Sequence, residues 1–144
     1  MFGVSALRFC LAVLLTAPAL VLGTTACAAD CANRAVGTVA SPDARLTAII
    51  FERDCGATTG ASTQISVLPS GQPAVGGGNV FIADTDHGAA PAGEGGGPAV
   101  RVRWVGRDTL EVRYHPRARR FAPQSRPEGI TVRLVPDSSV GNAT

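Results

Sequence analysis

Lysine is absent from this 144-residue chain, and all 13 of its basic residues are arginine. Aromatics are scarce: five phenylalanines, Trp104 and Tyr114. So few rings leave little for bases to stack on between cationic side chains, which argues against nucleic acid as a partner. His87 and His115 are the two histidines, so any imidazole chemistry is confined to their neighbourhoods. Neither glycine-rich stretch ends in Gly-Lys-Ser/Thr, so nothing reads as a phosphate-binding P-loop. No Gly-x-Ser-x-Gly elbow presents a serine nucleophile. No cofactor is implied. Beyond the first 28 residues no segment is apolar enough to span a membrane, and none has a convincing helical period. Arginine, alanine, glycine and proline share G- and C-rich codons that lysine lacks, so the lysine deficit reflects genome composition more than function.

What is present first is an export signal. Arg8 and the α-amino group precede an apolar run from Phe9 to Leu22, interrupted by Pro18 and ended by Gly23. As a helix that run would be about 21 Å long, short of the ~30 Å hydrocarbon core, which favours a cleaved signal over a retained anchor. Residues 1–28 therefore read as a signal peptide, with two ways of cutting it. Ala26-Cys27-Ala28 fits signal peptidase and would release a soluble chain starting near Ala29. Thr24-Thr25-Ala26-Cys27 resembles a bacterial lipobox, cut after Ala26 with Cys27 lipidated; Thr24 stands where Leu, Val or Ile is usual.

Cys10 leaves with the signal and Cys27 is either removed or acylated, so Cys31 and Cys55 remain. An even pair in an oxidising compartment is expected to form a disulfide. Their spacing is not C-x-x-C and no further cysteine is left for zinc, so no metal is expected on these thiols.

The charge is lopsided. Residues 30–100 carry Arg34, Arg45 and Arg53 against seven acids, whereas residues 101–133 carry nine arginines against Asp108, Glu111 and Glu128. Two readings compete: a basic patch for an anionic surface, or, as the charge balance favours, acidic and basic halves that pack together and neutralise each other.

Residues 29–136 read as a single β domain with a flexible tail over 137–144. Leu110, Val112 and Tyr114 alternate with Glu111 and Arg113, and Val102 and Trp104 alternate with Arg101 and Arg103. With the turn Val105-Gly106-Arg107-Asp108 between them, residues 101–115 form a hairpin with one wet face. Ile130–Leu134 alternates likewise. Arg34–Val39, Leu46–Phe51, Gln64–Leu68 and Asn79–Ala83 complete about seven short strands. The expected fold is all-β: a small antiparallel sandwich or partly open barrel. Ser41-Pro42-Asp43 resembles the turn that opens a propeller blade, but the chain has room for one such meander only. Pro69–Gly78 and Gly88–Pro98 are expected to be loops without enough apolar content to be ordered by burial.

Two segments carry candidate chemistry. Glu52, Arg53 and Asp54, beside Thr58, Thr59, Ser62 and Thr63, suggest a polar site, weighed against a disulfide-pinned turn whose hydroxyls cap amides. Asp84, Asp86 and His87 suggest divalent-metal or acid–base chemistry, weighed against ordinary Asp-x-Asp turn formation. Neither set defines a catalytic constellation.

Ser41-Pro42-Asp43-x-Arg45-Leu46, the run Phe51-Glu52-Arg53-Asp54-Cys55-Gly56-Ala57-Thr58-Thr59-Gly60, and Gly78–Asp84 together resemble a family of small exported bacterial proteins of unknown function. The resemblance spans Cys31 to about Val135 and implies an N-terminal lipobox, which favours an anchored Cys27. It implies no activity. The expected function is a non-enzymatic envelope domain that binds an envelope protein or an anionic surface and touches the membrane only through a lipid anchor. The rivals are a small hydrolase centred on Asp84, Asp86 and His87, and an inhibitor of a cell-wall hydrolase. Intact mass of the mature protein separates the two cuts: an acylated species beginning at Cys27 is the lipobox outcome, and an unmodified chain from near Ala29 is the other.

Overall fold

The computed structural model describes residues 31–56 and 59–142. The export signal over residues 1–28, the Cys27 alternatives and Thr58 lie outside them. Strands whose apolar residues recur every second position set one face against another sheet. The described residues form eight strands: β1 (Ala32–Ala40), β2 (Leu46–Asp54), β3 (Ser62–Pro69), β4 (Phe81–Asp84), β5 (Val100–Trp104), β6 (Thr109–Tyr114), β7 (Arg119–Phe121) and β8 (Thr131–Pro136). They form a five-stranded sheet in the order β1-β2-β3-β4-β7 and a three-stranded sheet in the order β5-β6-β8. Among the described residues there is no helix, and the sheets do not close into a barrel. The all-β class read from the alternation is therefore the observed one, with β7 added to the seven expected strands.

The first four strands are an antiparallel meander. Its first turn is built by Ser41, whose hydroxyl donates to Asp43 at 2.8 Å and accepts the Leu46 amide at 3.0 Å. Arg45 Nε closes on the second Asp43 oxygen at 2.7 Å. Between the sheets, Ala48, Ile65, Val67, Phe81 and Ala83 meet Leu110, Val112 and Tyr114, flanked by Val102, Trp104, Val132 and Leu134. The Phe81 and Tyr114 rings lie 5.7 Å apart and tilted, a favourable aromatic geometry that helps a core with few rings. Trp104 Nε1 donates to the Val39 carbonyl at 3.0 Å and ties β5 to the edge strand β1.

One pairing departs from the antiparallel expectation: β6 and β8 run parallel, Leu110 opposite Val132 and Val112 opposite Leu134. Parallel neighbours need a crossover. Here the chain leaves β6, adds β7 to the edge of the larger sheet beside β4, and returns as β8.

Two expectations about irregular segments are corrected. The glycine-rich loop 88–98 is seated under the sandwich end, with Ala90 and Pro98 buried and the Thr63 hydroxyl bonded to the Pro98 carbonyl at 2.7 Å. A Cβ at Gly97 would collide with the Thr63 backbone, so this glycine permits the loop to approach where no larger residue fits. Residues 137–142 do not trail away as a tail: Asp137 N–H bonds to the Tyr114 carbonyl at 2.9 Å and Val140 is 1% exposed. A buried valine repays the ordering of a turn that composition alone reads as loose.

Cys31 and Cys55 form a disulfide that joins the start of β1 to the end of β2. The bond is consistent with an oxidising compartment. Reduction is expected to lower the unfolding free energy by roughly 3.5 kcal/mol on the chain-entropy account, and Leu110→Ala by about 2–5 kcal/mol. Denaturant melts with and without a phosphine reductant check both values.

Candidate functional site

The meander places the sequence-selected residues on two faces. Register sets Asn33, Arg53, Ser62, Asp84 and Arg119 side by side across the larger sheet, on the face away from the other sheet. Glu52, one residue earlier on β2, points the opposite way, and its carboxylate accepts Arg34 Nη2 at 2.6 Å. Asp54 is exposed and accepts the Gly56 amide at 2.8 Å, while Thr59 bonds back to the Gly56 carbonyl at 3.1 Å. Ser62 donates to the Arg53 carbonyl at 3.1 Å. The first candidate segment is thus divided between faces, and its described hydroxyls hold turns and backbone.

The second segment turns instead of extending. Asp86, His87 and Gly88 all have positive φ, 49°, 57° and 90°, so the chain reverses directly after β4 and Asp86 leaves the face of Asp84. Asp84 accepts the Asp86 amide at 2.9 Å and Arg119 Nη2 at 2.5 Å, and Arg119 also lies 3.7 Å from Asp86. Burial works against the charge of Asp84, but the Arg119 and Asp86 hydrogen bonds outweigh it, and the carboxyl titrates below the usual aspartate range. An aspartate held ionised by arginine is an ion-pair partner for β7. His87 is exposed, and among the described residues no three His, Cys, Asp or Glu side chains are grouped to hold a metal ion.

The densest electrostatic arrangement lies on the outer face of the three-stranded sheet. Alternation sends Leu110, Val112 and Tyr114 into the core, and so sends Glu111 and Arg113 outward. Arg103 faces Glu111 from β5, and Arg133 faces it from β8. Glu111 Oε1 lies 2.8 Å from Arg103 Nη2 and 2.9 Å from Arg113 Nε, and Oε2 lies 3.9 Å from Arg133 Nη1. The Glu111 side chain is 3% exposed although it stands on the outer face, because the arginines close over it. This corrects the expectation that Glu111 is wet. The Arg113 hydrogen bond foremost, with Arg103 behind it, overcomes the effect of burial and holds the Glu111 carboxyl below the usual glutamate range.

Arg101 completes the face. It stands directly opposite Arg113, a like-charge cross-strand pair of the kind that destabilises a sheet. Arg101 itself donates to Ser139 Oγ at 3.2 Å, and Arg113 Nη1 reaches Asp137 at 3.3 Å. Four arginines therefore share one face with Glu111 and, at its margin, Asp137. Arg101, Arg103 and Arg113 line a surface concavity of about 340 Å³ there. The alternation of residues 101–115 already put three of these arginines on one side of a hairpin. Arg133 joins them only through the parallel β6–β8 pairing.

The acidic half does not neutralise this face. Asp43 pairs with Arg45 and Glu52 with Arg34, both within the first two strands, and Asp84 takes only Arg119 from the basic half. No family model matches the chain, and no curated protein or solved structure matches it.

Because the folded-state pKa of Glu111 is depressed, its contribution to stability is fully present above about pH 4.3, the unfolded value, and is lost as pH falls through the lower folded value. Glu111→Gln is expected to destabilise the domain at neutral pH and to flatten the acid limb of its stability profile. Melting temperatures of both proteins between neutral pH and the acid limit test this; an unchanged acid limb contradicts it.

Proposed function

We propose that this chain is a non-enzymatic, exported domain of the bacterial cell envelope that docks onto an anionic surface through Arg101, Arg103, Arg113 and Arg133. The observation that carries the reading is the arginine excess on one sheet face, with Glu111 covered at its centre and Asp137 at its edge. Glu111 orients Arg103, Arg113 and Arg133 and Ser139 orients Arg101, so less freedom is lost when an anion binds. Guanidinium also forms paired hydrogen bonds to phosphate and carboxylate groups that ammonium does not, so a face built only from arginine suits a surface dense in such groups.

Export is supported by the signal-like residues 1–28 and by a disulfide that needs an oxidising compartment. In the lipid-anchored form, acylated Cys27 would hold the domain at a membrane, and the arginine face would supply the second, electrostatic contact that stable membrane attachment requires. The resemblance to small exported bacterial proteins supports the same location.

The test is co-sedimentation of residues 29–144 with vesicles of phosphatidylcholine alone or containing one quarter phosphatidylglycerol. Binding is expected only with the anionic lipid, and it is expected to fall steeply as salt shortens the Debye length. Each arginine near such a surface contributes about 1 kcal/mol, so Arg101→Gln with Arg133→Gln is expected to weaken binding on the order of 30-fold. Arg103 and Arg113 remain to hold Glu111 in that variant. Equal binding to both vesicles, or a variant that binds like the parent, overturns the reading.

A further inference from the structure

Arg53 is the one arginine of the meander that the fold fixes without a counter-ion among the described residues. Its Nη1 donates to Asn33 Oδ1 at 2.6 Å and to the Gly76 carbonyl at 2.9 Å. Asn33 in turn donates to the carbonyls of Ala74 and Gly76, at 3.1 and 2.8 Å. The flanking acids are committed elsewhere, Glu52 to Arg34 on the opposite face and Asp54 to the Gly56 amide. Among the described residues Nε and Nη2 of Arg53 make no hydrogen bond. A guanidinium that is half-buried, oriented by two neutral acceptors and left with unused donors is poised for an anion from outside.

The surroundings give that anion a shape. Arg53 lines a concavity of about 440 Å³ on the outer face of the larger sheet, with Gln64 and Ile82 on its floor. Gly77 and Gly78 form one wall, and Ala122, Gln124 and Ser125, just after β7, form the other. The volume falls within the range of small-molecule sites. The loop wall is set firmly, because the Gln64 side chain accepts the Gly78 amide at 2.7 Å and donates to Ser62 at 2.9 Å. The opposite wall offers the amide of Gln124 and the hydroxyl of Ser125. Ile82 and Ala122 add a small apolar surface.

One guanidinium with neutral polar neighbours suits a monoanion. A phosphate dianion would call for a second cation, and Arg119, three strands away on the same face, is held by Asp84. We propose that this concavity binds a small monocarboxylate, a free acyl amino acid or the C-terminus of a short peptide, with its carboxylate on Arg53 and its body against Ile82 and Ala122. The site lies on the larger sheet and is independent of the arginine face on the smaller one.

The experiment is an NMR titration of residues 29–144 with N-acetylalanine, with N-acetylalaninamide, and with an N-acetylated tripeptide ending in alanine. Saturable shifts of the Arg53 Nε–H and of the Gly77, Gly78 and Ser125 amides are expected with both acids in the millimolar range and not with the neutral amide. Saturation by the tripeptide at a tenfold lower concentration identifies a peptide C-terminus as the ligand; equal saturation identifies the free acid. Arg53→Gln is expected to weaken binding at least tenfold. Because Arg53 also secures the 74–76 backbone, Ala122→Phe serves as the second variant: it fills the exposed wall and is expected to abolish binding with the melting temperature unchanged. Equal shifts with the neutral amide, no saturable shift with either acid, or full binding by both variants overturns the proposal.

Discussion

Strand β6 is covered on both of its faces. Leu110, Val112 and Tyr114 fill the space between the sheets, and on the other side Glu111 lies beneath arginines. A carboxylate shut away from water is costly unless cations meet it, and Arg113 of β6 itself is the foremost of them. Arg103 adds a second cation from β5 and Arg133 a more distant one from β8, which both reach Glu111 because β6 is the central strand of its sheet. Placing β8 there in parallel forces the crossover, and the crossover delivers β7 to the far edge of the larger sheet. The two sheets are thus joined by packing and also by the path of the chain.

That arrangement decides what becomes of the charge. Acids in the first half meet arginines within a few residues or on the adjacent strand, as Asp43 meets Arg45 and Glu52 meets Arg34. Of the two arginines on β7, Arg119 pairs with Asp84. Arg101, Arg103, Arg113 and Arg133 gather on the smaller sheet, in excess over Glu111 and Asp137 beside them. Arg101 stands opposite Arg113, and the two are held apart by different partners, Ser139 for the first and Glu111 with Asp137 for the second. On the larger sheet the same separation leaves Arg53 facing a polar concavity with neutral neighbours. Both candidate surfaces follow from arginines that the fold orients and does not neutralise.

Much of the β architecture is legible in the residues alone. The 101–115 hairpin announces itself because Val102, Trp104, Leu110, Val112 and Tyr114 alternate with charge, and alternation is the geometry of a half-buried strand. β7 is silent because Arg119-Arg120-Phe121 is short, fully exposed and has no alternation to detect. The glycine-rich loop and the residues after Pro136 look unordered in composition, since small residues promise little burial. Close backbone approach at Gly97 and a single buried Val140 order them nonetheless. The candidate acids were visible as residues and misleading as a group, because Glu52 and Asp84 lie on opposite faces and the left-handed turn at Asp86 and His87 breaks the row.

By itself the sequence determined the all-β class, the seven longer strands, the cysteines available for pairing and the imbalance of arginine between the two halves. These follow from local rules: side chains alternate across a strand, and covalent composition does not depend on the fold. Only the tertiary structure decided that Glu111 is buried, that Arg133 stands with Arg103 and Arg113, and that Arg53 is fixed without a counter-ion among the described residues. Those outcomes depend on which strands become neighbours, and neighbours here are chosen by a crossover through the other sheet that no local pattern encodes.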